Sequence, residues 1–176
     1  MAARAISASI TLRSQTPPGR DARQLHAQDA AGRIAAHTGA ACIGWCGHQV
    51  HDGFSVAGNM LAGEAVLAET ARAYTAGTAL PFAQRLIAAL QAGEAAGGDK
   101  RGKQSAALKI VTTEEYPALD LRVDDHADPL AELARLERVS RERFVHFAKF
   151  FATRDKPGGV WDRAVIEAEI ARATSQ

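Results

Sequence analysis

The side chains best suited to chemistry fall in a few short clusters. Gly97-Gly98-Asp99-Lys100-Arg101-Gly102-Lys103 sets three cations and one carboxylate among three glycines. Glycines expose backbone N–H groups, so such a loop suits an anion, with Asp99 and Arg101 as the leading contacts. The Gly-x4-Gly-Lys-[Ser/Thr] pattern of a P-loop is missing, and a solvated loop is the plain alternative. Asn59, in a glycine-flanked segment read as a turn after a strand, offers its amide or a nearby backbone N–H to an oxyanion or ligand pocket. The competing account is a turn residue that tolerates left-handed φ. Ser105 would need an adjacent base to act as a nucleophile. No Gly-x-Ser-x-Gly elbow surrounds it, and a packed strand serine is the simpler account. Asp124, Asp125 and His126 suit a general base or metal ligands. Adjacent strand side chains point to opposite faces, so at most some of the three converge.

Cys42-x3-Cys46-x-His48-x2-His51 has the ligand types of a zinc site. Its spacing matches no standard finger or ribbon, so these four residues are weak candidates and neither a metal nor another cofactor is expected. Cys42 suits a buried, small apolar position. His26, His37 and His146 have no partner visible in the sequence, and His146 shares an amphipathic segment with Phe144, Phe147 and Phe151.

These clusters need a scaffold, and 176 residues suffice for one domain with length to spare for a tail. The net charge of +1 offers no basic surface for nucleic acid. Two cysteines are not a disulfide framework, which points to a reducing compartment. No run of about 18 apolar residues predicts a membrane span. The N-terminus does not read as a secretory signal, so the cytoplasm is the expected location.

Residues 1–20 fit poorly with the rest of the chain and end in the turn signal Thr16-Pro17-Pro18-Gly19-Arg20. Residues 24–28 and 33–38, joined by Asp29-Ala30-Ala31-Gly32, read as a β-hairpin. Phe54–Gly58 reads as a short strand, and Glu64–Ala76 as a helix that Gly77 caps. Pro81 opens a second helix, which Gly93 ends. Residues 105–112 and 119–124 read as strands. Asp128 as N-cap and Pro129 at the first position start a helix whose apolar stripe runs to Phe151. Lys156-Pro157-Gly158-Gly159 breaks it, and 160–173 forms a tail helix. Strands, helices, strands and helices in that order make an α+β fold of antiparallel sheet with packed helices.

Several segments together resemble one family. They are Arg23-Gln24-Leu25, Asp29-Ala30-Ala31-Gly32-Arg33, Thr38-Gly39-Ala40-Ala41-Cys42, Gly58-Asn59-Met60-Leu61-Ala62-Gly63, residues 97–108 and residues 119–126. In this order and spacing they resemble the domain of unknown function 1028 family over roughly residues 20–135. The resemblance implies an αββα sandwich like that of N-terminal nucleophile (Ntn) hydrolases. It divides the chain into a non-matching segment 1–20, a family-like domain 21–135 and a helical extension 136–176. It also implies that the family's opening strands are missing here, which would leave a sheet edge open and favour a homo-oligomer.

An Ntn hydrolase attacks with the side chain of its first residue, whose α-amine is the base. Removal of Met1 would leave Ala2, which has no nucleophile. Gly77-Thr78 is the one Gly–Ser/Thr/Cys step, and a helix cap explains it better than self-cleavage. The leading expectation is thus an enzyme-derived domain for a small amide-like metabolite, lacking its nucleophile segment. Its pocket would draw on Asn59, Asp99, Arg101, Ser105 and Asp124. The alternatives are a non-catalytic ligand-binding domain, or an accessory protein using its C-terminal helices. No residue here supports the pilus-assembly label that some family members carry.

Overall fold

The computed structural model describes residues 18–174, so most of the non-matching segment 1–20, and the Thr16-Pro17 part of its turn signal, lie outside the described residues. In chain order the elements are a 3-10 turn at Arg20–Ala22, β1 (Gln24–Gln28), β2 (Ile34–Thr38), β3 (Trp45–His51), β4 (Phe54–Leu61), α1 (Glu64–Ala76), α2 (Phe82–Ala95), β5 (Ala106–Ile110), β6 (Leu119–Val123), α3 (Pro129–Glu142), α4 (Phe144–Phe147) and α5 (Arg163–Thr174). The fold is α+β. Its strands form three antiparallel pairs, β1–β2, β3–β4 and β5–β6. Two compact units divide the described residues: 18–80 with 88–103, and 81–87 with 104–174.

In the first unit the β1–β2 hairpin forms where turn chemistry predicts it. Asp29 Oδ1 accepts from the backbone N–H groups of Ala31 and Arg33, its Oδ2 takes Arg33 Nε at 2.6 Å, and Gly32 adopts a φ of 79°. An aspartate that bonds its own turn in this way stands in for a backbone turn. β3 has no counterpart among the predicted strands, and β4 runs three residues beyond the predicted one. The β3–β4 pair has two different faces, because neighbouring strand residues point opposite ways. On one face Phe54 stacks on His51, centroids 4.5 Å apart, and meets Tyr74 of α1. On the other, His48 and Ser55 meet the first hairpin. The predicted helix over 64–76 is confirmed residue for residue, with Val66, Leu67 and Ala71 buried.

Gly93 does not end α2. The helix runs on to Ala95, and Gly93 lies buried inside it. A Cβ there would meet Thr70 Oγ1 at 2.2 Å, so glycine is present for a close approach of α1 and α2, not for a stop.

The second unit is built on Leu133, which is fully buried and packs with Ile87, Leu108, Leu119 and Val123. Strands β5 and β6 pair in register from Ala106↔Val123 to Ile110↔Leu119 and bury alternate positions. Asp128 caps α3 as expected, accepting from Ala131 N at 3.3 Å, with Pro129 next. The predicted unbroken stripe to Phe151 is corrected. α3 stops at Glu142, Arg143 leaves helical geometry (φ −145°, ψ −50°), and a separate short turn comes next. In a straight helix residues seven apart rise about 10 Å along the axis. Here a 3-10 turn at Ala148–Phe150 leads to an extended Phe151, and the Phe144 and Phe151 ring centroids lie 6.2 Å apart and those of Phe147 and Phe151 5.4 Å. The break at Arg143 lets its side chain form a two-pronged ion pair with Glu167 of α5, at 2.6 and 2.9 Å. Among the described residues no helix is long and apolar enough to cross a membrane.

Candidate functional site

In the first unit β4 carries an irregularity at the residues the sequence singles out. Gly47 pairs with Gly58 and Trp45 with Leu61, so Asn59 and Met60 on β4 face only Cys46 on β3. Two residues opposing one is a β-bulge, a device that recurs beside active sites because it re-aims side chains. Asn59 therefore lies within a strand, exposed, and not in a turn after one. Its neighbour Met60 takes the left-handed conformation, φ 55°, the one positive φ among the described non-glycine residues. Such a conformation costs about 1–2 kcal/mol and persists only where surroundings impose it.

The surroundings are two backbone segments, the 43–44 turn and the 97–103 loop. Met60 N–H donates to Ile43 O at 3.0 Å, Lys100 N–H to Met60 O at 3.0 Å, and Ala62 N–H to Gly98 O at 2.9 Å. Leu61 and Asp99 form an isolated antiparallel bridge. Gly97 and Gly98 both take positive φ to make the approach. The Lys100 ammonium lies over Gly44, where a Cβ would stand 2.9 Å from Nζ. The bulge, the 97–103 loop and the 43–44 turn are thus fastened into one assembly.

On its surface Asp99 and Arg101 form a closed pair. The Asp99 carboxylate accepts from Arg101 Nε at 2.9 Å, Nη2 at 2.6 Å and the backbone N–H at 2.9 Å. The Arg101 side chain, by its hydrogen bonds above all, lowers the Asp99 pKa to about 2, so the carboxyl is ionised throughout the neutral range. Lys103 pairs with Glu94 at 3.4 Å, and Lys100 makes no ion pair among the described residues.

Ser105, Asp124, Asp125 and His126 lie in the other unit. Ser105 is exposed at the edge of β5. Asp124 pairs with Arg122 at 2.7 Å, and Asp125 is exposed. His126 accepts from Asp128 N at 3.0 Å through Nδ1, and its backbone N–H donates to Gln104 O, so it serves the approach to α3. Cys42, Cys46, His48 and His51 are not gathered around a common point. Both cysteines are free, His48 engages Thr38, and His51 engages Gln49 and Phe54. Among the described residues no group of three or more His, Cys, Asp or Glu could hold a metal ion.

A polar seam between the two hairpins escaped sequence reasoning. Gln24 Nε2 donates to Thr38 Oγ1, Gly47 O and Gly58 O at 3.0, 2.9 and 3.1 Å. Thr38 Oγ1 meets His48 Nδ1 at 2.8 Å, and Ser55 Oγ meets His26 Nδ1 at 2.9 Å. The two imidazoles lie edge to face, 6.0 Å apart. Burial, and then the charge of His48, lowers the His26 pKa and favours the neutral ring. A neutral imidazole touching a serine hydroxyl is the contact of a nucleophile and its base. The far nitrogen of His26 is buried and has no carboxylate to orient it among the described residues. No signal in the sequence announces the seam, because its members are paired by tertiary register.

Comparison with known proteins adds three findings. Residues 2–133 match a family model described as a family of unknown function (DUF1028), a stretch that takes in most of the segment 1–20 that the residue pattern separates from the domain. A crystal structure of protein SPO2555 from Silicibacter pomeroyi, which carries the same family model, is similar at a TM-score of 0.79 and 30% sequence identity. The similarity covers 89% of this chain and 67% of that one. No curated protein matches the chain.

Proposed function

We propose that this chain, which belongs to the DUF1028 family of unknown function, binds a small amide- or carboxylate-bearing metabolite at the β4 bulge and the 97–103 loop, as the pocket side of an Ntn-type hydrolase. The bulge carries the reading. A methionine held left-handed, with two backbone segments fastened around it, is a local cost that a purely structural turn would avoid with glycine. Asn59 supplies an exposed amide to the ligand. Lys100 and the outer edge of Arg101 supply positive charge for a carboxylate, with Asp99 fixing the guanidinium in place. Hydrolysis would follow the Ntn pattern: the side chain of a terminal Ser, Thr or Cys adds to the amide carbon while its α-amine takes the proton and passes it to the departing amine, and water then frees the acyl group. Ser105, Asp124, Asp125 and His126 are accounted for by strand ends and the approach to α3, and recognition rests on the first unit.

A second reading, binding without turnover, is favoured by Asp99. A carboxyl whose pKa is near 2 is a poor general base at neutral pH, whereas an ionised anchor for arginine suits recognition. The test is thermal unfolding of the full chain with N-acyl amino acids and amino-acid amides, alongside assay of the released amine. A ligand at 100 times its Kd stabilises by about 2.7 kcal/mol. Stabilisation that Arg101→Ala removes supports the site, and amine release from the same compounds selects hydrolysis over binding alone. Equal stabilisation of wild type and Arg101→Ala by every compound would sink it.

A further inference from the structure

The second unit holds a cleft of about 340 Å³ lined by His146, Lys149, Phe150, Glu169, Arg172 and Ala173. It lies beyond residue 133, where the family match ends. Its walls are the Phe144–Phe150 segment and α5, which the Arg143–Glu167 ion pair ties together. One lining residue, His146, carries a polar atom with no partner. His146 Nδ1 is buried and unbonded among the described residues. A stranded buried imidazole nitrogen costs about what a lost hydrogen bond costs, and each such atom in a folded protein calls for an explanation. Amphipathic packing explains the ring carbons of His146 but not this nitrogen.

The charge around it is one-sided. Lys149 makes no ion pair among the described residues, and Arg172 is exposed and bonded to Glu169 through Nη2. Two cations face one carboxylate, with Phe150 and Ala173 supplying an apolar wall. A cation in the last turn of a helix is ordinary, since it complements the helix dipole. That accounts for Arg172 alone and leaves Lys149 and the stranded nitrogen unexplained. We propose that this cleft is a second binding site, for a small organic anion whose phosphate or carboxylate meets Lys149 and Arg172 and whose apolar body lies on Phe150 beside the His146 ring.

Phenyl phosphate carries both features and is the probe. In the full chain labelled with ¹⁵N-histidine, titration is expected to shift the His146 ring resonances saturably, with His146→Gln identifying them. Lys149→Ala and Arg172→Ala remove exposed side chains and leave the fold intact. Each is expected to weaken binding about tenfold, the effect of losing one charge-assisted contact. Arg101→Ala is expected to leave this binding unchanged, which separates the proposal from the site at the bulge. Benzyl alcohol, which has the ring without the anion, is expected not to bind. An absent or non-saturating His146 shift would overturn the proposal, as would equal affinity in the double Lys149→Ala/Arg172→Ala variant.

Discussion

Gln24→Glu replaces one atom type and tests the polar seam. The Gln24 amide nitrogen has two N–H groups and serves three acceptors between 2.9 and 3.1 Å, two of them backbone carbonyls of the β3–β4 pair. An ionised glutamate has only acceptors, so it would turn a carboxylate oxygen toward Gly47 O and Gly58 O. Losing two such bonds at about 1 kcal/mol each, with both carbonyls left facing an acceptor, costs about 2–3 kcal/mol. Gln24→Met, similar in shape but uncharged, measures that loss alone. The glutamate carries a further, pH-dependent cost, because the carbonyls raise its folded pKa above the unfolded value of about 4.3. Its carboxylic acid form can still donate one bond. The stability of the variant is thus fullest below that unfolded value and falls as pH rises through the raised folded one. Urea unfolding of wild type and both variants at pH 4 and pH 8 reads the effect as differences from wild type. A glutamate variant that tracks the methionine variant at both pH values, or that matches wild type, would refute the geometry of the seam.

Two further outcomes rest on burial. Leu133→Ala empties a fully buried position in the second unit and is expected to cost about 3–4 kcal/mol by denaturant unfolding, well above Leu136→Ala at the partly buried edge. His26 is held neutral by burial and then by His48, so its folded pKa lies below its ordinary 6.5 and the unfolded chain takes the proton first. Stability is therefore expected to decline as pH falls below about 6.5, and His26→Gln is expected to flatten that decline in unfolding curves between pH 7.5 and 5.

What could be read from the sequence was local. The β1–β2 hairpin follows from Asp29 and Gly32, and α3 from Asp128 and Pro129, because turn and cap chemistry act over a few residues. β3 was hidden because Trp45–His51 mixes glycine with residues that suggest a metal, and because its two faces serve different partners. The break at Arg143 has no proline or glycine to announce it, and the ion-pair partner it meets there, Glu167, is 24 residues away. At the site, the sequence marked Asn59, Asp99 and Arg101 but not the strained residue, which is Met60. The seam stayed invisible because Gln24 and Gly58 are 34 positions apart and meet only when the hairpins pack.

The close approach of Thr70 and Gly93 makes the order of mutations matter. Alanine at 93 is the better helix former by about 1 kcal/mol, yet with Thr70 in place its methyl has no room, because the threonine hydroxyl is also bonded to Val66 O at 2.7 Å. Once position 70 has shrunk to alanine, the same change at 93 fills space and keeps its helical advantage. Of the two routes to the double alanine chain, only the one that begins at position 70 avoids a crowded intermediate. A lineage drifting under selection for stability would reach that chain by one road and find the other closed.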